Sequence, residues 1–181
     1  MGPTAVSGLP PVTLILGGAR SGKSAYAEAM VCAAGPGLYL ATAEAGDAEM
    51  ADRIRHHRAR RGACWTTVEE PLDLVTALGR LAAPDRTILV DCLTLWLSNL
   101  MAAERDVALE TRRLQAALAD LPGPVVLVSN EVGLGLVPTT PLGRLFRDAA
   151  GRLNQAVAGI AQRVVFIAAG LPLILKEPDR P

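Results

Sequence analysis

Pro11-Val12-Thr13-Leu14-Ile15-Leu16-Gly17-Gly18-Ala19-Arg20-Ser21-Gly22-Lys23-Ser24 is the stretch from which the rest of the chain can be read. Its first six residues are apolar and rich in β-branched side chains, the pattern of a buried strand, and they stop at paired glycines, as a strand entering a tight turn does. The eight residues from Gly17 to Ser24 then fit G-x-x-x-x-G-K-[ST], and a helix is expected from Lys23 to about Ala34. In that order the glycines let the backbone curl, so that several N–H groups point at one phosphate. The helix N-terminus adds its partial positive charge, Lys23 reaches the terminal phosphates and Ser24 is placed to ligate Mg²⁺. Only two of the 18 basic residues are lysines, Lys23 and Lys176, so a lysine in this loop departs from the chain's habit of using arginine.

Outward from this loop, Gly37-Leu38-Tyr39-Leu40-Ala41-Thr42 reads as a second strand. Asp47 to about Arg61 reads as a helix with Met50 and Ile54 on one face and Asp47 as its cap. A strand-like stretch lies near Trp65 to Val68, and Pro71 is expected to open a helix carrying Leu74, Leu78 and Leu81 to about Ala82. Thr87-Ile88-Leu89-Val90-Asp91 is a further buried strand ending in an acid. Helical patterns fill Leu93 to Ala119 in two pieces without marking the break. Val125 to Ser129 is another buried strand, and Asn130 to Pro141, with two glycines and two prolines, is a loop. A helix from about Leu142 to Gln162, a strand from Val164 to Ala168 and a short strand from Leu173 to Lys176, pairing after a turn at Gly170, complete the reading. Strands written as continuous apolar runs and alternating with helices predict an α/β fold, a mostly parallel sheet with helices on both faces. Residues 1–11 read as a short disordered lead and 12–181 as a single P-loop nucleotide-binding domain.

The 181 residues are 50% hydrophobic, 20% charged and 3% aromatic, with 18 basic and 18 acidic side chains. Such a chain is not disordered in the main, and zero net charge offers no general attraction to nucleic acid or an anionic membrane, which leaves small molecules as partners. The apolar run from Val164 to Leu175 is about half a membrane span and is broken by Gly170 and Pro172. The lead has no basic residue and no apolar core of a secretion signal. Cys32, Cys64 and Cys92 show no metal spacing, and an odd count of three predicts no disulfide framework; the expected compartment is the reducing cytoplasm.

Asp91 ends its strand where a P-loop enzyme keeps the acid that holds Mg²⁺ through water. The plainer alternative is a cap for the following helix. The two histidines are adjacent, in Arg53-Ile54-Arg55-His56-His57-Arg58-Ala59-Arg60-Arg61. Helical spacing sets His57 near Met50 and Ile54, and His56 among Asp52, Arg53 and Arg60. A neutral imidazole is a nucleophile for phosphorus, and neighbouring arginines both disfavour its protonation and bind the phosphates it attacks. The alternative is a solvated basic helix face with a packed His57.

Several further segments follow in order: Tyr39-Leu40-Ala41-Thr42; Glu49-Met50 with Arg53-Ile54 and His56-His57-Arg58; Trp65-Thr66-Thr67-Val68-Glu69; Asn130-Glu131-Val132-Gly133 with Gly135 and Val137-Pro138; Phe146-Arg147-Asp148 with Gly151-Arg152 and Asn154-Gln155. Together with the Gly17 to Ser24 loop, this series resembles the bifunctional adenosylcobinamide kinase/adenosylcobinamide-phosphate guanylyltransferases of cobalamin biosynthesis, from Leu14 to Lys176. The resemblance implies a RecA-like P-loop NTPase fold, a homotrimer and two reactions. ATP or GTP phosphorylates the hydroxyl on the aminopropanol arm of adenosylcobinamide. GMP from GTP then joins adenosylcobinamide phosphate to give adenosyl-GDP-cobinamide, with loss of pyrophosphate.

The resemblance also implies that GMP passes through a covalent intermediate on the first histidine, His56. Nucleotide contacts carry over onto Gly17, Gly18, Ala19, Arg20, Ser21, Gly22, Lys23 and Ser24, onto Ala41, Thr42 and Ala43, onto His57, Arg58, Ala59 and Arg60, and onto Glu69 and Asp91. Three departures, Ser129 for Thr, Leu136 for Ile and Arg58 for Lys, remove no chemical group given a role. Asn130 to Pro138 is either a corrinoid or nucleotide contact or a shaped turn at the sheet edge. Phe146-Arg147-Asp148 and Asn154-Gln155 are expected to pack and pair rather than catalyse. The alternative function is a P-loop small-molecule kinase without nucleotidyl transfer. A nucleotide-dependent switch is disfavoured, because two lysines leave no Asn-Lys-x-Asp segment to read guanine.

Overall fold

The computed structural model describes residues 8–43 and 64–178. In chain order the elements are β1 (Val12–Gly17), α1 (Lys23–Ala34), β2 (Gly37–Ala41), β3 (Trp65–Glu69), α2 (Leu74–Leu81), β4 (Thr87–Asp91), α3 (Leu93–Ala102), α4 (Val107–Ala119), β5 (Val125–Asn130), α5 (Pro141–Ile160), β6 (Arg163–Ala168) and β7 (Leu171–Lys176). The strands form one sheet in the order β3-β2-β4-β5-β1-β6-β7. The first six are parallel and β7 runs antiparallel to β6.

Alternation within the strands explains their unbroken apolar character, because each face has its own cover. Leu14 and Leu16 of β1, Ile88 and Val90 of β4 and Leu127 of β5 pack with Leu78, Trp96, Leu114 and Leu153 from α2 to α5. Their strand neighbours Ile15, Leu89, Val126 and Val128 pack on the other face with Ala27 and Val31 of α1. Helix α1 buries Ala27 and Val31 against this face, with Tyr26 and Met30 partly buried beside them. Short connections between adjacent elements hold the same arrangement: Val125 N–H donates to the Pro11 carbonyl at 2.9 Å, and Leu9 packs against the α1 face.

Some boundaries differ from the sequence reading. Pro71 lies before α2, not at its start: Glu70 Oε1 accepts from the N–H groups of Leu72 and Asp73 at 3.1 and 2.9 Å, which holds a turn ahead of Leu74. The unplaced helix break falls over residues 103–106. There Glu104 takes φ 53 and Asp106 caps α4 by accepting from Leu109 N–H at 3.0 Å. The helix predicted over 47–61, its cap Asp47 and residues 1–7 of the lead lie outside the described residues.

The expectation of no disulfide is overturned: Cys32 and Cys64 are bonded, with Cα atoms 6.0 Å apart. Linear spacing hides this pair because sheet pairing creates it. Cys32 lies in the last turn of α1, just ahead of β2, and Cys64 directly precedes β3, which pairs with β2 so that Gly37 N–H donates to the Cys64 carbonyl at 2.9 Å. Cys92 is free and buried. Among the described residues no helix is long and apolar enough to cross a membrane.

Candidate active site at the carboxyl edge of the sheet

Six parallel strands end on one edge, and their register lines up the polar residues there. Ala41 lies between Glu69 and Asp91, and Gly17 opposite Asn130. The Gly17 to Ser24 loop leaves this edge and enters α1. A Cβ on Gly17 would lie 2.6 Å from both the Ile167 carbonyl oxygen and Ser21 Oγ, so only glycine lets the chain turn at this point. Gly22, at φ 96, takes the left-handed conformation that starts the helix. Gly170 N–H donates to the Ser21 carbonyl at 2.8 Å, so the β6–β7 turn braces the loop from outside.

Lys23 is buried, and its Nζ donates to the Gly18 carbonyl at 3.0 Å across the loop. Burial lowers its pKa, against the opposing pull of the neighbouring Cys92 and Asp91. A triphosphate entering the loop supplies negative charge where the lysine is short of it. Ala19 and Arg20 are exposed on the loop, Arg20 in a left-handed conformation at φ 57.

Asp91 is not the cap of α3, a position occupied by Cys92. Its Oδ2 instead accepts from the buried Tyr39 hydroxyl at 2.5 Å. The backbone after Asp91 is clasped by Thr42, whose Oγ1 donates to the Cys92 carbonyl at 2.7 Å and accepts from Cys92 N–H at 2.9 Å. Asn99 Nδ2 donates to the carbonyls of Thr42 and Pro71 at 2.8 and 3.0 Å, tying the ends of β2 and β3 to α3. Thr42 therefore shapes this edge with a hydroxyl already engaged, while Ala43 is half-buried and Glu69 exposed beside it.

Two buried polar atoms around Gly17 have no protein partner, Ser21 Oγ and Asn130 Oδ1. Ser21 belongs to the loop, and Asn130 pairs with Gly17 at its start. Ser24 and Asp91 offer a hydroxyl and a carboxylate, hard oxygen donors that suit Mg²⁺ shared with nucleotide phosphates. Among the described residues no three or more His, Cys, Asp or Glu converge into a metal cage of protein ligands alone.

His56, His57, Arg58, Ala59 and Arg60 lie outside the described residues. Local sequence assigns no task to Tyr39 and does not mark Thr94 or Asn99. A tyrosine in an otherwise aliphatic buried strand was the available signal for the first; nothing in the local pattern marked the others. Asn154 does pack and pair, as expected, bridging Ser129 and the Asn130 carbonyl, and Arg147 pairs with Asp148 at 3.2 Å.

Residues 13–175 match the family described as cobinamide kinase / cobinamide phosphate guanyltransferase. The chain is 53% identical over 169 residues to the bifunctional adenosylcobalamin biosynthesis protein CobP of Pseudomonas aeruginosa, covering 91% of this chain and 98% of that protein. It is 42% identical over 178 residues to the bifunctional adenosylcobalamin biosynthesis protein CobU of Salmonella typhimurium, covering 90% and 98%. Among solved structures, a Pyrococcus horikoshii OT3 protein superposes with TM-score 0.56 at 8% identity, over 95% of this chain and 89% of that one. A prototypical ATPase from the type III secretion system of pathogenic bacteria superposes with TM-score 0.55 at 14% identity, over 95% and 59%. These two likenesses are of fold alone.

Proposed function

The chain belongs to the cobinamide kinase / cobinamide phosphate guanyltransferase family, and from that membership we propose how one phosphate loop serves both of its reactions. The protein is a transferase of cobalamin biosynthesis that phosphorylates cobinamide and then guanylylates the product. The observation that carries the proposal is the shared edge on which the Gly17 to Ser24 loop, the buried Lys23 and the Tyr39-held Asp91 come together.

In the kinase step the loop N–H groups and Lys23 hold the phosphates of ATP or GTP and offset the charge that gathers on the leaving side. Ser24 and Asp91 would hold Mg²⁺, whose charge adds to that of Lys23. In the guanylyl step His56 attacks the α-phosphorus of GTP, a P–N bond forms, and pyrophosphate departs into the loop. A phosphate oxygen of cobinamide phosphate then displaces His56 and takes the GMP. His57 to Arg60 and Glu69 complete the nucleotide contacts. Leu134 and Leu136, 79% and 97% exposed on the loop after β5, offer an apolar surface for the corrinoid beside this edge. We assign the work to the cytoplasm on the supply of ATP and GTP there, since the Cys32–Cys64 bond removes the argument from the cysteines.

The test is the intact mass of the wild type and of His56→Ala after incubation with GTP and Mg²⁺, without corrinoid, followed by mild acid. An acid-labile gain of one GMP on the wild type alone is expected. No gain despite GTP binding would reduce the enzyme to its kinase step by this route and remove the role given to His56.

A further inference from the structure

Asn130 closes β5 with its backbone fully engaged. Its N–H donates to Thr94 Oγ1 at 2.7 Å and its carbonyl accepts from Asn154 Nδ2 at 3.1 Å. Ser129 Oγ completes the ring, donating to Asn154 Oδ1 at 2.7 Å and lying 3.3 Å from Thr94 Oγ1. Thr94, Ser129 and Asn154 are all buried, so three side chains from α3, β5 and α5 serve to fix one residue's main chain. None of these bonds uses the Asn130 carboxamide, and its Oδ1 is buried without a hydrogen-bond partner. Groups placed this firmly and left unpaired cost stability unless a ligand completes them.

The residue stands beside the phosphate loop. Asn130 pairs with Gly17, and the next residue, Glu131, donates its N–H to the Gly17 carbonyl at 3.0 Å. On the other side β5 pairs with β4, where Val128 is opposite Asp91. The nucleotide's phosphates offer acceptors only, so they cannot satisfy Oδ1; its partner is a donor or a cation. In the kinase reaction the donor that meets the phosphate is the acceptor alcohol.

We propose that Asn130 is a catalytic residue of the kinase step, its Oδ1 accepting a hydrogen bond from the substrate hydroxyl and aiming that oxygen at the γ-phosphorus. This rests on the kinase reading above. The alcohol oxygen forms the new O–P bond, the bond from the γ-phosphorus to the β–γ bridging oxygen breaks, and the nucleoside diphosphate leaves. The hydroxyl proton passes to a transferred phosphoryl oxygen and then to water. Asn130 neither gains nor loses a proton; its contribution is orientation. The residue also begins the loop bearing Leu134 and Leu136, so the position of the reacting hydroxyl and the surface assigned to the corrinoid are set by one continuous segment.

The experiment compares wild type, Asn130→Ala and Asn130→Asp for kinase kcat and KM with cobinamide, affinity for a non-hydrolysable ATP analogue, and self-guanylylation by GTP without corrinoid. Asn130→Ala should lose kinase kcat by about 30-fold or more. Analogue affinity should stay within about twofold and self-guanylylation should be unchanged. Asn130→Asp keeps the acceptor but sets a charge near the γ-phosphate, so its kcat should recover as pH falls and the carboxyl is neutralised. A kinase kcat within about threefold of wild type in Asn130→Ala would overturn the proposal. So would a parallel loss of analogue affinity and self-guanylylation, which would make Asn130 a nucleotide or metal-water contact. Failure of the wild type itself to phosphorylate cobinamide would instead overturn the kinase reading on which this rests.

Discussion

At the scale of single residues, the site depends on side chains whose charge is set by what surrounds them. The Tyr39 hydroxyl is buried and donates to Asp91, so Tyr39→Phe leaves the carboxylate short of a donor at a half-buried position. The expected result is a fall of about tenfold in kinase kcat and about 1–3 kcal/mol in stability, read by steady-state kinetics and urea unfolding. Unchanged kinetics would show that Asp91 needs no help from Tyr39. Cys92 gives a pH dependence. Burial, then the nearby Asp91 charge, pushes its thiol from 9.0 up to about 11. The thiol is an acid with a raised folded pKa, so the unfolded chain ionises first and stability falls as pH rises from about 9 towards 11. Urea titrations across that window should show a steeper decline for the wild type than for Cys92→Ala; equal slopes would contradict the burial argument.

Elements meet here through polar seams as well as apolar faces. The α5 helix is tied to β5 by Asn154, which accepts from Ser129 and donates to the Asn130 carbonyl. Asn154→Ala removes both bonds and leaves buried groups unpaired, at an expected cost of about 1–3 kcal/mol. Because the same seam fixes Asn130, kinase kcat should fall with little change in nucleotide affinity. A variant that loses stability but keeps full turnover would show that the seam is structural only. Gly37 works in the opposite way, by having no side chain: a Cβ there would lie 2.6 Å from Val31 Cγ1 and 2.7 Å from the Trp65 ring. The joint of α1, β2 and β3 closes on that space, and the Tyr39 and Trp65 rings meet edge to face at 5.5 Å beside it.

At the scale of the whole molecule, among the described residues β7 leaves its edge of the sheet exposed. Every residue of β7 is exposed, including Leu171, Leu173, Ile174 and Leu175. An apolar edge strand of this kind is a template for pairing with another chain. Self-association through β7 is the expected outcome: light scattering should find more than one copy in the wild type and smaller species in a Leu173→Asp/Leu175→Asp variant. A monomeric wild type would leave β7 without that role. The Cys32–Cys64 bond makes a separate prediction: denatured without reductant, the protein should titrate one thiol, that of Cys92, and after reduction three. Three thiols before reduction would mean the bond is not formed in solution.

Much of this was legible in the chain itself. The Gly17 to Ser24 loop, the α1 bounds and the β4 strand ending in Asp91 follow from local rules: backbone freedom at glycine, periodicity, and apolar runs that need cover on both faces. Family membership likewise rests on ordered motifs. What needed the tertiary structure is the set of contacts between residues distant in sequence. Tyr39 lies on Asp91, Thr42 on Cys92 and Cys32 on Cys64 because parallel pairing sets β2 beside β3 and β4, and Asn154 lies on Asn130 because α5 packs on β5. Local sequence records which residues are able to form hydrogen bonds. Only the register of the sheet decides which of those groups meet, and which, like Asn130 Oδ1, are left for a ligand.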